Sequence, residues 1–131
     1  MVHLPFYHGQ ALGKLEGNSL RFPHEIMGIP PVLLTGMFIV PAEERIENAP
    51  APYQFLRICR PEDALFKEHT LRTPFTLPFT LDNNYLTLSP SELQFAHLDK
   101  EIAVVGCETA LELWNPEHFL NYKKMAAPFY K

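Results

Sequence analysis

Two stretches of this chain carry the same order of apolar and polar positions. Leu15-Glu16-Gly17-Asn18-Ser19-Leu20-Arg21-Phe22 runs Leu, acid, small, Asn, polar, Leu, polar, apolar, and Leu81-Asp82-Asn83-Asn84-Tyr85-Leu86-Thr87-Leu88 follows the same scheme 66 positions on. A Pro and a Glu follow each copy: Pro23 and Glu25, then Pro90 and Glu92. Val32-Leu33-Leu34-Thr35-Gly36 is echoed by Ala103-Val104-Val105-Gly106 with the offset drifting to 70. Two copies predict an internal pair of supersecondary units rather than a solenoid.

Each copy predicts a β-hairpin followed by a short helix. Leu12 to Phe22 alternates around Gly17-Asn18, which reads as strand, turn, strand. Asn18 and Asn84 hold matching turn positions, and Asn is the non-glycine residue most tolerant of positive φ. After the second hairpin, Ser89-Pro90-Ser91-Glu92 predicts an N-cap, a proline at the first helical position and a capping box. Leu93, Phe95 and Ala96 supply that helix's apolar face, and His97-Leu98 closes it. In the first copy, Pro23 to Gly28 predicts a shorter helix ending on glycine. Ile102 to Val105 reads as a buried strand, and Ala110 to Trp114 as its antiparallel partner. Asn115-Pro116-Glu117 then opens a helix carrying Phe119, Leu120 and Tyr122.

The first copy is compressed in its later half: Val32 to Thr35, a turn at Gly36, Met37 to Val40, then Pro41 and an acidic stretch to Glu47. The expected organisation is a first unit over 6–47, opening on a strand at Phe6-Tyr7. A linker follows over 48–74, Pro/Ala-rich from Asn48 to Tyr53, mixed apolar and charged from Phe55 to Leu71 and with a helix at Glu62 to His69, and then a second unit over 75–124. Thr73 to Thr80 alternates, but Pro74 and Pro78 push it towards a sheet edge. The tail from Met125 is expected to be loose.

Composition narrows the classes. Hydrophobic residues make up 47% of the 131, enough for a core, and thirteen prolines argue against long helices. No apolar run reaches a membrane span and no secretory signal is visible, so a cytoplasmic protein without membrane contact is expected. Cys59 and Cys107 are read as two buried thiols. The net charge of −4 is not that of a strong nonspecific nucleic-acid binder, though a local basic surface is compatible with it. The six histidines show no H-x-x-x-H spacing, and no nucleophile elbow, P-loop or dinucleotide fingerprint is present. Glu43-Glu44 has nothing to shape a pocket around it. The expectation is therefore no enzyme, no cofactor and no metal. Trp114 on an alternating strand is expected in the core or at a subunit interface.

Leu86 to Tyr122 resembles the second half of the MraZ family, regulators associated with the bacterial division and cell-wall gene cluster. The residues that carry the resemblance are Leu93, Phe95-Ala96, Leu98-Asp99-Lys100-Glu101-Ile102, Val104-Val105-Gly106, Leu111-Glu112-Leu113-Trp114 and Asn115-Pro116-Glu117-His118-Phe119, about a third of the chain. The first half agrees in outline, at Tyr7-His8, the hairpin, Pro23, Val32 to Gly36 and Phe38 to Glu44. The resemblance implies a mainly β fold with short helices, a swapped-hairpin β-barrel of the SpoVT/AbrB kind formed by two repeats. It also implies ring-like homo-oligomers, nucleoid association and binding to repeated promoter sequences in double-stranded DNA. In that family each hairpin turn carries D-x-K-G-R, whose basic residues face DNA. Aligned without gaps, this chain has Gly17-Asn18-Ser19 and Asn83-Asn84-Tyr85 where the family has Lys-Gly-Arg.

The candidate DNA-reading residues are therefore Lys14, Asn18, Ser19, Arg21, Asn83, Asn84 and Tyr85. Asn can bond adenine bidentately, Tyr can contact phosphate or stack, and Lys14 and Arg21 are the nearest cations. The same residues also suit an ordinary hairpin tip. Arg57, Arg60, Lys67, His69 and Arg72, set against Glu62, Asp63 and Glu68, read as a solvated face. The alternative function is an oligomeric protein-interaction module that keeps this fold without binding DNA. A positive stripe around the hairpins would favour the regulator, and a neutral or acidic face the module.

Overall fold

A computed structural model of the chain describes residues 9–22, 37–46, 49–60, 77–78, 85–107 and 110–126. The strands are β1 (Gln10–Glu16), β2 (Ser19–Arg21), β3 (Phe38–Glu44), β4 (Tyr53–Cys59), β5 (Leu77–Pro78), β6 (Tyr85–Thr87), β7 (Glu101–Cys107) and β8 (Ala110–Trp114). The helices are α1 (Pro90–Phe95) and α2 (Pro116–Ala126). Seven strands of three or more residues and the two-residue β5 form one sheet, ordered β5-β3-β4-β8-β7-β1-β2-β6, with every described pairing antiparallel. The sheet curls into a half-barrel, so the protein is mainly β with two short helices.

The first hairpin forms where the alternation places it, with Leu15 opposite Leu20 and Glu16 opposite Ser19. Its left-handed residue is Gly17, at φ 62°, while Asn18 keeps a negative φ. A positive φ at the first central position alone is the type II′ pattern, which suits the twist of a hairpin. The tolerance of Asn for positive φ is thus not what builds this turn. Further along β1, a Cβ on Gly13 would lie 2.5 Å from Leu20 Cδ1 and 3.1 Å from the Arg21 carbonyl oxygen.

The capping box of α1 forms in full. Glu92 N–H donates to Ser89 Oγ at 3.1 Å and Ser89 N–H to Glu92 Oε1 at 2.8 Å. At the other end, His97 N–H donates to Gln94 O (3.3 Å) and Leu98 N–H to Leu93 O (2.9 Å). This is a Schellman motif, with His97 at φ 55° where glycine is usual. Asn115 caps α2 through its side-chain oxygen, which accepts from His118 N–H at 3.0 Å. The helix continues through Met125, which the sequence reading placed in a loose tail, and Met125 Sδ accepts a bond from Tyr53 Oη at 3.2 Å.

Two strands depart from expectation. Tyr53–Cys59 lies within the span read as linker, yet β4 pairs with β3 over seven residues and with β8 on its other side. Its sequence is a nearly unbroken apolar run, the signature of a strand buried on both faces, and Arg57 disguised it. β3 runs through Pro41 into the acidic stretch as far as Glu44. β5 meets only Phe38 and Ile39, so at Pro41 β3 has a described neighbour on one side alone. That is where a strand accommodates a residue without an N–H. β5 itself ends the strand order of the described strands, the edge position expected from Pro78. The expected first strand at Phe6-Tyr7, the helix after Pro23, the strand at Val32 to Thr35 and the helix from Glu62 lie outside the described residues.

One face of the sheet packs a core from Leu20, Ile39, Leu56, Ile58, Leu86, Ile102, Leu111 and Leu113, with α1 contributing Leu93, Phe95 and the adjoining Ala96. The other face carries a second cluster under α2. There Trp114, with no exposed surface, stacks on Phe55 at 4.3 Å and packs against Phe119 and Tyr122. Trp114 is therefore a core residue. Cys59 is a buried free thiol, as expected.

Two ladders have a special register. In β2–β6, Ser19 faces Thr87, Leu20 faces Leu86 and Arg21 faces Tyr85. Leu20 and Leu86 are the residues that the 66-position offset in the sequence aligns with each other. The same offset lays the β1–β7 ladder (Leu12 opposite Ala103) on β5–β3 (Pro78 opposite Phe38). Followed along the ladders, that offset would lay Phe38 on Ala103 and, through their partners Cys59 and Trp114, Arg57 on Glu112, an equivalence that differs from the match of Val32–Gly36 to Ala103–Gly106 read from the sequence. Arg57 and Glu112 are themselves opposed in β4–β8.

Candidate nucleic-acid interface

Alternation along β1 turns Gln10, Leu12, Lys14 and Glu16 outward, all exposed, while Gly13 is buried. On β2 the exposed Arg21 and half-buried Ser19 flank the buried Leu20. On β6 half-buried Tyr85 and exposed Thr87 flank the buried Leu86. Since side chains alternate across a sheet, Lys14, Ser19, Arg21 and Tyr85 share the outward face of three neighbouring strands. Arg21 lies opposite Tyr85, and Ser19 Oγ is 3.4 Å from Thr87 Oγ1. Asn18 is exposed at the turn, its carbonyl accepting from Leu88 N–H at 2.8 Å. The structure thus gathers Lys14, Asn18, Ser19, Arg21 and Tyr85 on one surface. Asn83 and Asn84 lie outside the described residues.

The electrostatics of this surface are balanced. Lys14 stands opposite Glu101 in the β1–β7 ladder, and Glu16 neighbours Ser19. Exposed Lys14, Arg21 and Lys100 are matched by exposed Glu16, Asp99 and Glu101. Arg57, read from sequence as part of a solvated face, adds nothing here. It is buried on β4, its Nη2 2.6 Å from Glu112 Oε2, and its guanidinium carbon lies 5.3 Å from the Phe55 ring centre. Trp114 Nε1–H donates to the other Glu112 oxygen at 2.9 Å.

Two further surface features stand out. Leu12 and Leu120, 59% and 51% exposed, border an apolar groove between β1 and α2 with Ala11, Ala103 and Phe119. On another side, His97 and His118 line a cavity of about 300 Å³ together with Pro52, Tyr53, Gln54 and Asn121. The two imidazole centres are 5.2 Å apart. Burial, and then the neighbouring His97, lower the His118 pKa below its ordinary value, against an upward pull from Glu117. Sequence spacing could not reveal this pair, because 21 positions and two strands separate its members. Among the described residues, no three His, Cys, Asp or Glu side chains cluster closely enough to hold a metal ion, and no helix is long and apolar enough to cross a membrane.

No protein-family model matches the chain, and no curated protein matches it.

Proposed function

We propose that this chain is a MraZ-like transcriptional regulator that binds double-stranded DNA upstream of its own division and cell-wall gene cluster. The observation that carries the reading is the register of the two special ladders. Two repeats whose second hairpin strands pair at equivalent positions are what a swapped-hairpin arrangement of the SpoVT/AbrB kind requires, and Leu20 opposite Leu86 supports it. The outward face of β1, β2 and β6 is then the reading surface. A small β-ribbon of this kind can enter the major groove. Arg21 suits a guanine edge or a phosphate, Lys14 a phosphate, Asn18 an adenine, and Ser19 and Tyr85 the backbone, with Asn83 and Asn84 in the matching turn. Homo-oligomerisation, ring-like as in the family, would use apolar surface such as the Leu12–Leu120 groove, and it would multiply weak contacts.

The test is titration of the full chain into a duplex of its own upstream region, against a scrambled duplex, at two salt concentrations. With Lys14, Arg21 and Lys100 as the exposed cations around the hairpin, the salt dependence should be shallow, a slope of about −2 to −3 per bound chain. The Lys14→Glu, Arg21→Glu double variant should abolish binding. Binding unchanged in that variant removes this face from the proposal. A second reading, an oligomeric protein-interaction module, is favoured by the matched charges around the hairpin. It wins if the promoter duplex is not bound even at low salt.

A further inference from the structure

His97 and His118 are brought together by one asparagine. Asn115 Oδ1 accepts from His118 N–H at 3.0 Å, and Asn115 Nδ2 donates to the His97 carbonyl oxygen at 2.7 Å. A single side chain thus fixes the backbone of both histidines. His97 also occupies a left-handed position that glycine would fill at lower cost, with its ring exposed and not in the core. Backbone strain at a residue whose side chain the fold does not use for packing is a recurrent mark of a functional position.

The separation of the rings, which lies in the range of direct ring packing, is also one that a shared ion can span. A metal–nitrogen bond of about 2.0–2.1 Å plus roughly 1.1 Å to the ring centre puts each centroid about 3.2 Å from a shared ion, and at a tetrahedral angle two centroids then stand about 5.2 Å apart. The observed separation is 5.2 Å. Gln54 and Asn121 border the same cavity and offer carboxamide oxygens, and water can complete the coordination. We propose that His97 and His118 are the protein ligands of a site for a late first-row divalent ion such as Zn²⁺ or Ni²⁺. Imidazole nitrogen without a carboxylate selects such ions over Mg²⁺ and Ca²⁺. A bound ion would tie the end of α1 to the first turn of α2. The proposal is independent of DNA binding.

The experiment is calorimetric titration of ZnCl₂, and separately NiCl₂, into the chelator-stripped full chain, alongside His97→Asn and His118→Gln. Asn tolerates the left-handed backbone, so the first variant removes the imidazole without breaking the helix cap. Thermal melting of each metal-free variant checks that it folds. One ion per chain should bind with micromolar affinity, weakened tenfold or more in each folded variant and insensitive to excess MgCl₂. Equal affinity in the variants, which assigns the metal to other histidines, overturns the proposal. So does the absence of binding up to millimolar metal. Should one variant fail to fold, the other decides.

Discussion

At the scale of single residues, His97 shows how a fold can hold a side chain in an unfavourable backbone state. The left-handed conformation strains any residue with a Cβ, yet the Schellman bonds to Leu93 and Gln94 and the Asn115 bridge leave His97 no other place. Replacing it with glycine should raise stability by about 0.5–1 kcal/mol, read as a rightward shift of the urea unfolding midpoint. If the shift is absent, the strain is relieved in a way the backbone does not reveal. The sequence announced the capping residues Ser89, Glu92 and Asn115 because each acts within one turn of its own position. It could not announce that Asn115 also reaches His97, because that bond depends on where two helices end up.

At the scale of elements, the first hairpin combines legible and illegible parts. Alternation and Gly17-Asn18 located β1, the turn and β2, since all three obey local rules. Gly13 looked like an ordinary strand residue, but the cross-strand approach of Leu20 leaves no room for a Cβ. Leu20 is fully buried, so its Cδ1 can yield only by repacking its neighbours. Gly13→Ala should cost about 1–3 kcal/mol through overpacking, measurable by equilibrium denaturation. A neutral result would show that β1 and β2 can separate by a few tenths of an ångström without loss. β4 was illegible for a different reason. A charged residue in an apolar run argues for a surface, and only the partner strand shows that Arg57 is neutralised by Glu112. The candidate DNA face was half legible: the sequence named its residues, whereas the matching of Lys14 with Glu101 arises from β1–β7 pairing.

At the scale of the whole molecule, the Arg57–Glu112 pair sits between the central strands of the sheet, with side chains 4% and 9% exposed. A buried charge deprived of its partner is far worse than none. Glu112→Leu alone should cost about 3–5 kcal/mol, while the Arg57→Met, Glu112→Leu double variant should recover only part of that loss, because Trp114 Nε1–H loses its acceptor in both. Thermal unfolding of the three proteins checks this, and additive losses in the double variant would mean that the two side chains act separately.

The place of that pair in the register carries a consequence for ancestry. On the proposed two-repeat arrangement, Arg57 and Glu112 are the same position in the two copies and face each other across the axis that relates them. In a dimer of identical halves, whatever residue stood there would meet itself, so that a cation would meet a cation. Only once the halves had become two different sequences could opposite charges settle on that axis. The pair is then a marker of divergence between the copies, and it discourages either half from associating with a duplicate of itself.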